Sequence, residues 1–117
     1  MGLSEVLWMV RIAVPLDNNN GLDSIVSFRL GRAPFFAIVD LEGGEIRNLN
    51  IYANPNAGGM RGVGIATAQW LASMGVQIVL ASKVGPNAMQ ALQALGIQIM
   101  NVAPGIPLRQ ALSSYSF

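Results

Sequence analysis

Leu71-Ala-Ser-Met-Gly-Val-Gln-Ile-Val79 and Leu92-Gln-Ala-Leu-Gly-Ile-Gln-Ile-Met100 are alike at a separation of 21 residues. Each reads as the tail of a helix, a glycine placed to serve as the residue after the C-cap, and a short apolar strand. Two such pieces in succession are consecutive βαβ units. A right-handed crossover then sets their strands parallel in one sheet.

Working outward, Ile65, Ala68, Leu71 and Ala72 fall at helical spacing and predict a helix that ends at Gly75. Pro86 stands where a helix's first turn accepts proline, and Ala88 to Leu95 continues that second helix as far as Gly96. The apolar runs Val76 to Ala81 and Ile97 to Val102 are the strands. After the break Pro104-Gly105-Ile106-Pro107, a short helix is expected over Leu108 to Ser113. Upstream, Met9 to Leu16 is apolar and β-branched apart from Arg11, and breaks at Pro15 and the polar run that follows it. Its centre, Ile12-Ala13-Val14, has the composition of a strand buried on both faces. Phe35 to Leu41 and Glu45 to Tyr52 read as a hairpin around Gly43-Gly44. Residues 21–34 are an irregular loop containing Phe28-Arg29-Leu30-Gly31-Arg32.

The order β β β α β α β α predicts an α/β fold: a single domain over residues 9–117, with a mixed five-stranded sheet and helices on both faces. Residues 1–8 read as an N-terminal extension that the fold does not need, and Trp8 and Trp70 as packing residues. This architecture accounts for a composition that is 52% hydrophobic and only 11% charged, against roughly 25% charged in typical soluble domains.

Net charge is +1, too small for a general nucleic-acid binder. Its distribution is uneven, because all six carboxylates lie at or before Glu45. Neither cysteine nor histidine occurs, which removes disulfides, structural zinc, thiolate and imidazole ligation, and Ser-His-Asp chemistry. Asp40, Glu42 and Glu45 gather around a hairpin turn, where solvated acids belong, while Asp17 and Asp23 flank a loop and suit turn formation better than a hard cation. The first strand supplies no acid for a metal nuclease, and no acid-base pair is evident, so an enzyme is not expected. No apolar run reaches the roughly 18 residues of a membrane span. The N-terminus lacks a basic n-region, and a cytoplasmic protein is expected.

Three loops place basic residues beside glycine or proline. The first carries Arg29, Gly31 and Arg32; the second, within Asn54 to Gly64, carries Asn56, Gly58, Gly59, Met60, Arg61 and Gly62; the third carries Lys83, Gly85 and Asn87. The second and third follow strands and precede helices, and ligands of open α/β sheets collect at such strand ends. Glycine-rich backbone ahead of a helix can aim several N–H donors at an anion, or can be a plain connector. If the loops converge, Arg29, Arg32, Arg61 and Lys83 line one positive, partly apolar site. Met60 brings a soft thioether, although methionine commonly fills gaps. Nucleotide fingerprints are not met: Gly62-Val-Gly-Ile-Ala-Thr lacks the third glycine, and no G-x-x-x-x-G-K-S/T exists.

Ser27, Gly31-Arg32-Ala33-Pro34-Phe35-Phe36, Asn54-Pro55 with the glycines up to Gly64, and Gly85-Pro86-Asn87-Ala88 together resemble the dinitrogenase iron-molybdenum cofactor family, over about Val10 to Leu112. The resemblance implies a ribonuclease-H-like mixed sheet and a non-enzymatic binding or carrier protein for an anionic metal-sulfur cluster. Members often carry histidine just before the Gly-Arg pair and in the loop after Asn-Pro. Here Arg29 and the loop 56–61 stand in those places. Arginine in place of a neutral ligand suits a cluster whose metals are held by its own sulfides, and the implied cofactor is a non-covalent molybdenum-copper sulfide cluster. The alternatives are an iron-molybdenum-sulfur precursor of the nitrogenase cofactor, or a protein-interaction module. A monomer whose partner is the inorganic cluster is expected, with neither nucleic acid nor membrane involved.

Overall fold

The computed structural model of the chain describes residues 9–114. The anticipated extension 1–8, with Trp8, lies outside them. Five strands, β1 (Met9–Leu16), β2 (Phe35–Glu42), β3 (Glu45–Ala53), β4 (Ile78–Ala81) and β5 (Gln98–Asn101), form one sheet in the order β3-β2-β1-β4-β5. Strand β2 pairs antiparallel with both neighbours, and β4 is parallel to β1 and to β5. Four strands therefore run the same way, and the loops leaving β1, β3 and β4 emerge at one edge.

Alternate side chains of the central strands feed two cores. Ile12, Val14, Leu16, Ala37, Val39, Ile78 and Leu80 face α3 (Leu108–Ser113), while Ala13, Phe36, Ile38 and Val79 face α1 (Val63–Ser73) and α2 (Pro86–Ala94). This is the expected two-sided α/β architecture, and it explains the low charge: β1 from Ile12 onward, most of β2 and all of β4 are buried. The edge strand β3 is mostly exposed.

The repeated nine-residue pattern has a common structural cause. Gly75 (φ +77) and Gly96 (φ +75) take the left-handed conformation that ends each helix. The following N–H groups fold back identically, Val76 to the Leu71 carbonyl at 3.2 Å and Ile97 to the Leu92 carbonyl at 2.9 Å. These are Schellman closures, and they drop each chain directly into its parallel strand.

Three expectations shift. Ile65 is 38% exposed, the buried stripe of α1 being Val63, Thr67, Ala68 and Leu71, and the helix begins at Val63, two residues before its apolar periodicity. Asp40 is not a solvated hairpin acid. The β1–β2 register sets it opposite Arg11, and it is buried with its carboxylate against that guanidinium at 2.7 and 3.1 Å. Finally, Pro15 does not break the first strand. Its carbonyl accepts the Ser27 N–H at 2.8 Å on the β4 side, beyond the Ile12–Ile78 and Ala13–Val79 pairs, so its missing N–H disrupts no ladder bond there. Trp70 packs edge-on against Phe36, with ring centroids 5.8 Å apart.

Candidate functional site

Beyond those two pairs, β1 and β4 diverge, and the irregular loop wedges between them. Val26 bridges Leu16, and Arg29 bridges Lys83, with the Leu30 N–H donating to the Lys83 carbonyl at 3.3 Å. Such a divergence at the carboxyl ends of parallel strands is the usual crevice of an open α/β sheet. A pocket of about 390 Å³ occupies it.

The three basic loops converge here. Arg29, Gly31, Arg32, Met60, Arg61, Gly62, Lys83, Gly85 and Asn87 all line the pocket, joined by Leu30, Val63, Gly64, Pro86 and Ala88. Asn56, Gly58 and Gly59 are not among the lining residues. They form the outer turn of the second loop, where the Gly59 N–H closes onto the Asn56 carbonyl at 3.0 Å. The turn is tied to the pocket through Arg32, whose Nη1 donates to the carbonyls of Gly59 at 2.9 Å and Ala57 at 3.4 Å.

Charge separates this edge from the rest of the molecule. Arg11 pairs with Asp40, Arg47 with Glu42 and Arg109 with Asp23. The pair holds the Asp40 carboxyl below its ordinary range, first through the hydrogen bond from Arg11, and holds the Arg11 guanidinium above its own. The remaining four cations, Arg29, Arg32, Arg61 and Lys83, have no carboxylate partner among the described residues, and all four line the pocket. Lys83 is steadied by the Phe28 ring, its Nζ lying 5.8 Å from the centroid. The first residues of α1 and α2 add their unpaired N–H groups and positive dipole ends to the same wall.

Two braces of the site carry little sequence signal. Asn54 is buried, and its Nδ2 donates to the carbonyls of Gly31 at 3.1 Å and Ala33 at 3.0 Å, while its Oδ1 accepts the Asn56 N–H at 2.9 Å. These bonds make Asn54 a brace of the turn, its amide spent on backbone rather than free for an anion. Thr67 is fully buried on α1 and donates through Oγ1 to the same Gly31 carbonyl at 3.1 Å. Its only clue is a polar residue on a helix's inner stripe. Among the described residues, no group of three or more His, Cys, Asp or Glu could hold a metal ion, and no helix is long and apolar enough to cross a membrane.

The chain belongs to the dinitrogenase iron-molybdenum cofactor family, whose model matches residues 10–116. It is 38% identical over 91 residues to an uncharacterised protein of Methanocaldococcus jannaschii, covering 78% of this chain and 73% of that one. Among solved structures it is similar to the apo form of the orange protein from Desulfovibrio gigas, with 37% identity, a TM-score of 0.80, and coverage of 92% of this chain and 88% of that one. A Thermotoga protein described as a putative NifB protein is 32% identical, with a TM-score of 0.74 and coverage of 90% and 85%.

Proposed function

We propose, from this family membership and the pocket's charge, that the protein binds and carries an anionic molybdenum-copper sulfide cluster without transforming it. The observation that carries the reading is the segregation of charge: the four cations without carboxylate partners among the described residues share one pocket with two helix N-termini. The donor set fits such a cargo. Its side chains and N–H groups offer positive charge and hydrogen bonds to an anion's periphery, and a cluster that keeps its own sulfide ligands needs little more. At about 390 Å³ the pocket lies in the roughly 300–1,000 Å³ range of small-molecule sites, more room than a single tetrahedral oxyanion requires. The apolar walls Leu30, Val63 and Ala88 suit a weakly hydrated sulfide anion better than an oxyanion.

The test is reconstitution. Tetrathiomolybdate and Cu(II) added to metal-free protein should give a visible charge-transfer spectrum that survives desalting; a colourless protein after desalting would sink the reading. A second cargo, an iron-molybdenum-sulfur precursor, is favoured by the family's description and the putative NifB relative. Elemental analysis of protein from its native source separates them, copper with molybdenum supporting the first and iron with molybdenum the second.

A further inference from the structure

We infer that the exposed edge of β3 is a self-association surface, on which a second copy of this chain pairs antiparallel across a two-fold axis at Ile51. The inference is independent of the carrier reading and replaces the monomer expected from sequence. It starts from where the edge hydrogen bonds go. The Asn54 N–H donates to the Pro34 carbonyl at 2.9 Å, and that pair continues the β2–β3 register. Bonded pairs alternate along an antiparallel ladder, so Tyr52, Asn50 and Asn48 bond inward to Phe36, Ile38 and Asp40. The N–H and carbonyl groups of Leu49, Ile51 and Ala53 therefore point away from the sheet, and none has another partner among the described residues.

Sheet edges are usually guarded by brevity, charge, proline or a bulge. At the opposite edge, β5 is only four residues long. β3 has nine residues, and its guards stand only at its start: Glu45, and Arg47 as the extra residue of a bulge. Asn48 to Ala53 carries neither charge nor proline. This open stretch is self-complementary. A two-fold axis at Ile51 pairs all three outward residues with one another, Ile51 with Ile51 and Leu49 with Ala53 in both directions, each pair exchanging both of its main-chain bonds. On the face toward α3, Leu49 and Ile51 are half-buried against the core and extend it across the axis. On the other face Asn50 meets Tyr52 of the second copy, an exposed amide beside an exposed phenol. No charge lies within the pairing, so nothing there repels a second copy. An unrelated strand would share the backbone bonds without this side-chain match.

Full-length, metal-free protein serves for the test. Sedimentation velocity should show a monomer at low micromolar concentration passing to a dimer toward millimolar, as fits a small contact of about five residues a side. Hydrogen exchange then identifies the surface. The amides of Leu49, Ile51 and Ala53 should exchange about tenfold more slowly in concentrated than in dilute protein, while those of Asn48, Asn50 and Tyr52 stay protected in both. Ala53→Pro removes an outward N–H where an edge strand tolerates proline. It should weaken association about tenfold or more, since the bond is lost twice per dimer, with the urea midpoint unchanged. Should that variant fold poorly, the exchange pattern of the wild type decides alone. A monomer at every concentration overturns the inference. So does a dimer whose three outward amides exchange as fast as in the monomer, which would put the contact on another face, or a well-folded Ala53→Pro protein that associates like wild type. None of these results touches the carrier reading, which reconstitution tests separately.

Discussion

Gly31 and Gly64 meet backbone to backbone: a Cβ on Gly31 would stand 3.1 Å from the Gly64 Cα and 3.2 Å from its nitrogen. That contact seats the first basic loop directly on the start of α1 and sets how closely Arg29 and Arg32 approach the second loop. Gly31→Ala should push the loop off the helix and lower stability by roughly 1–3 kcal/mol, the usual cost of overpacking, and loosen cluster retention with it. Gly58→Ala, where the added Cβ meets nothing within 4 Å, should change neither. Urea denaturation beside a desalting assay reads both; equal behaviour of the two variants would refute the close-contact explanation.

Asn54 joins the same loops by hydrogen bonding. Asn54→Asp preserves shape but replaces the Nδ2 donor with an acceptor facing the Gly31 and Ala33 carbonyls. The Ala33 carbonyl is then left unmatched and faces an acceptor, while the Gly31 carbonyl keeps only Thr67, which together should cost about 2–3 kcal/mol. Thr67→Val removes the bond to the Gly31 carbonyl, which keeps the Asn54 donor, and a long 3.4 Å bond accepted from Asn54 Nδ2, and should cost nearer 1 kcal/mol. The ordering of the two urea midpoints is the measurement.

Asp40 predicts a pH dependence. Its folded pKa is depressed below the ordinary 3.8 by Arg11, so its contribution is fully present above that value and is lost as pH falls through the lower folded pKa. Because the Arg11 side chain is 41% exposed, solvent screens the pair and the contribution should be about 1 kcal/mol. Asp40→Asn should lower the urea midpoint at pH 7 and close the gap to wild type as pH drops below 4. A gap that stays constant with pH would mean that the pair's charge contributes nothing.

The repeat around Gly75 and Gly96 made the βαβ half legible, because helix end, left-handed glycine and buried strand are all local signals. The helix Leu108–Ser113 is legible at its observed bounds because the break Pro104-Gly105-Ile106-Pro107 ahead of it is local as well. What stayed hidden depends on pairing between distant strands. Asp40 looked like a turn acid because only the β1–β2 register sets it against Arg11. The convergence of the basic loops could be anticipated, since glycine, proline and cations recur at strand ends. That Arg32 would spend one nitrogen on the Gly59 carbonyl, and that Asn54 would brace the loops, follows only from their folded positions.

The four pocket cations differ in what they do, and cluster retention should expose the difference. Arg61 has no hydrogen-bond partner among the described residues, so its charge is available to cargo. Arg61→Ala should weaken retention roughly fivefold to tenfold, as for one charge-assisted contact. It should also make the loss of binding with added salt shallower, since one fewer cation is being screened. Arg32 holds the second loop as well. Arg32→Lys keeps the charge but not the planar fork that reaches both the Gly59 and Ala57 carbonyls. It should therefore leave the salt dependence near that of wild type while still weakening retention, because the loop bearing Met60 and Arg61 loses its anchor. Identical salt slopes for Arg61→Ala and wild type would show that Arg61 does not touch the cargo. Full retention by Arg32→Lys would show that the link to Gly59 is incidental.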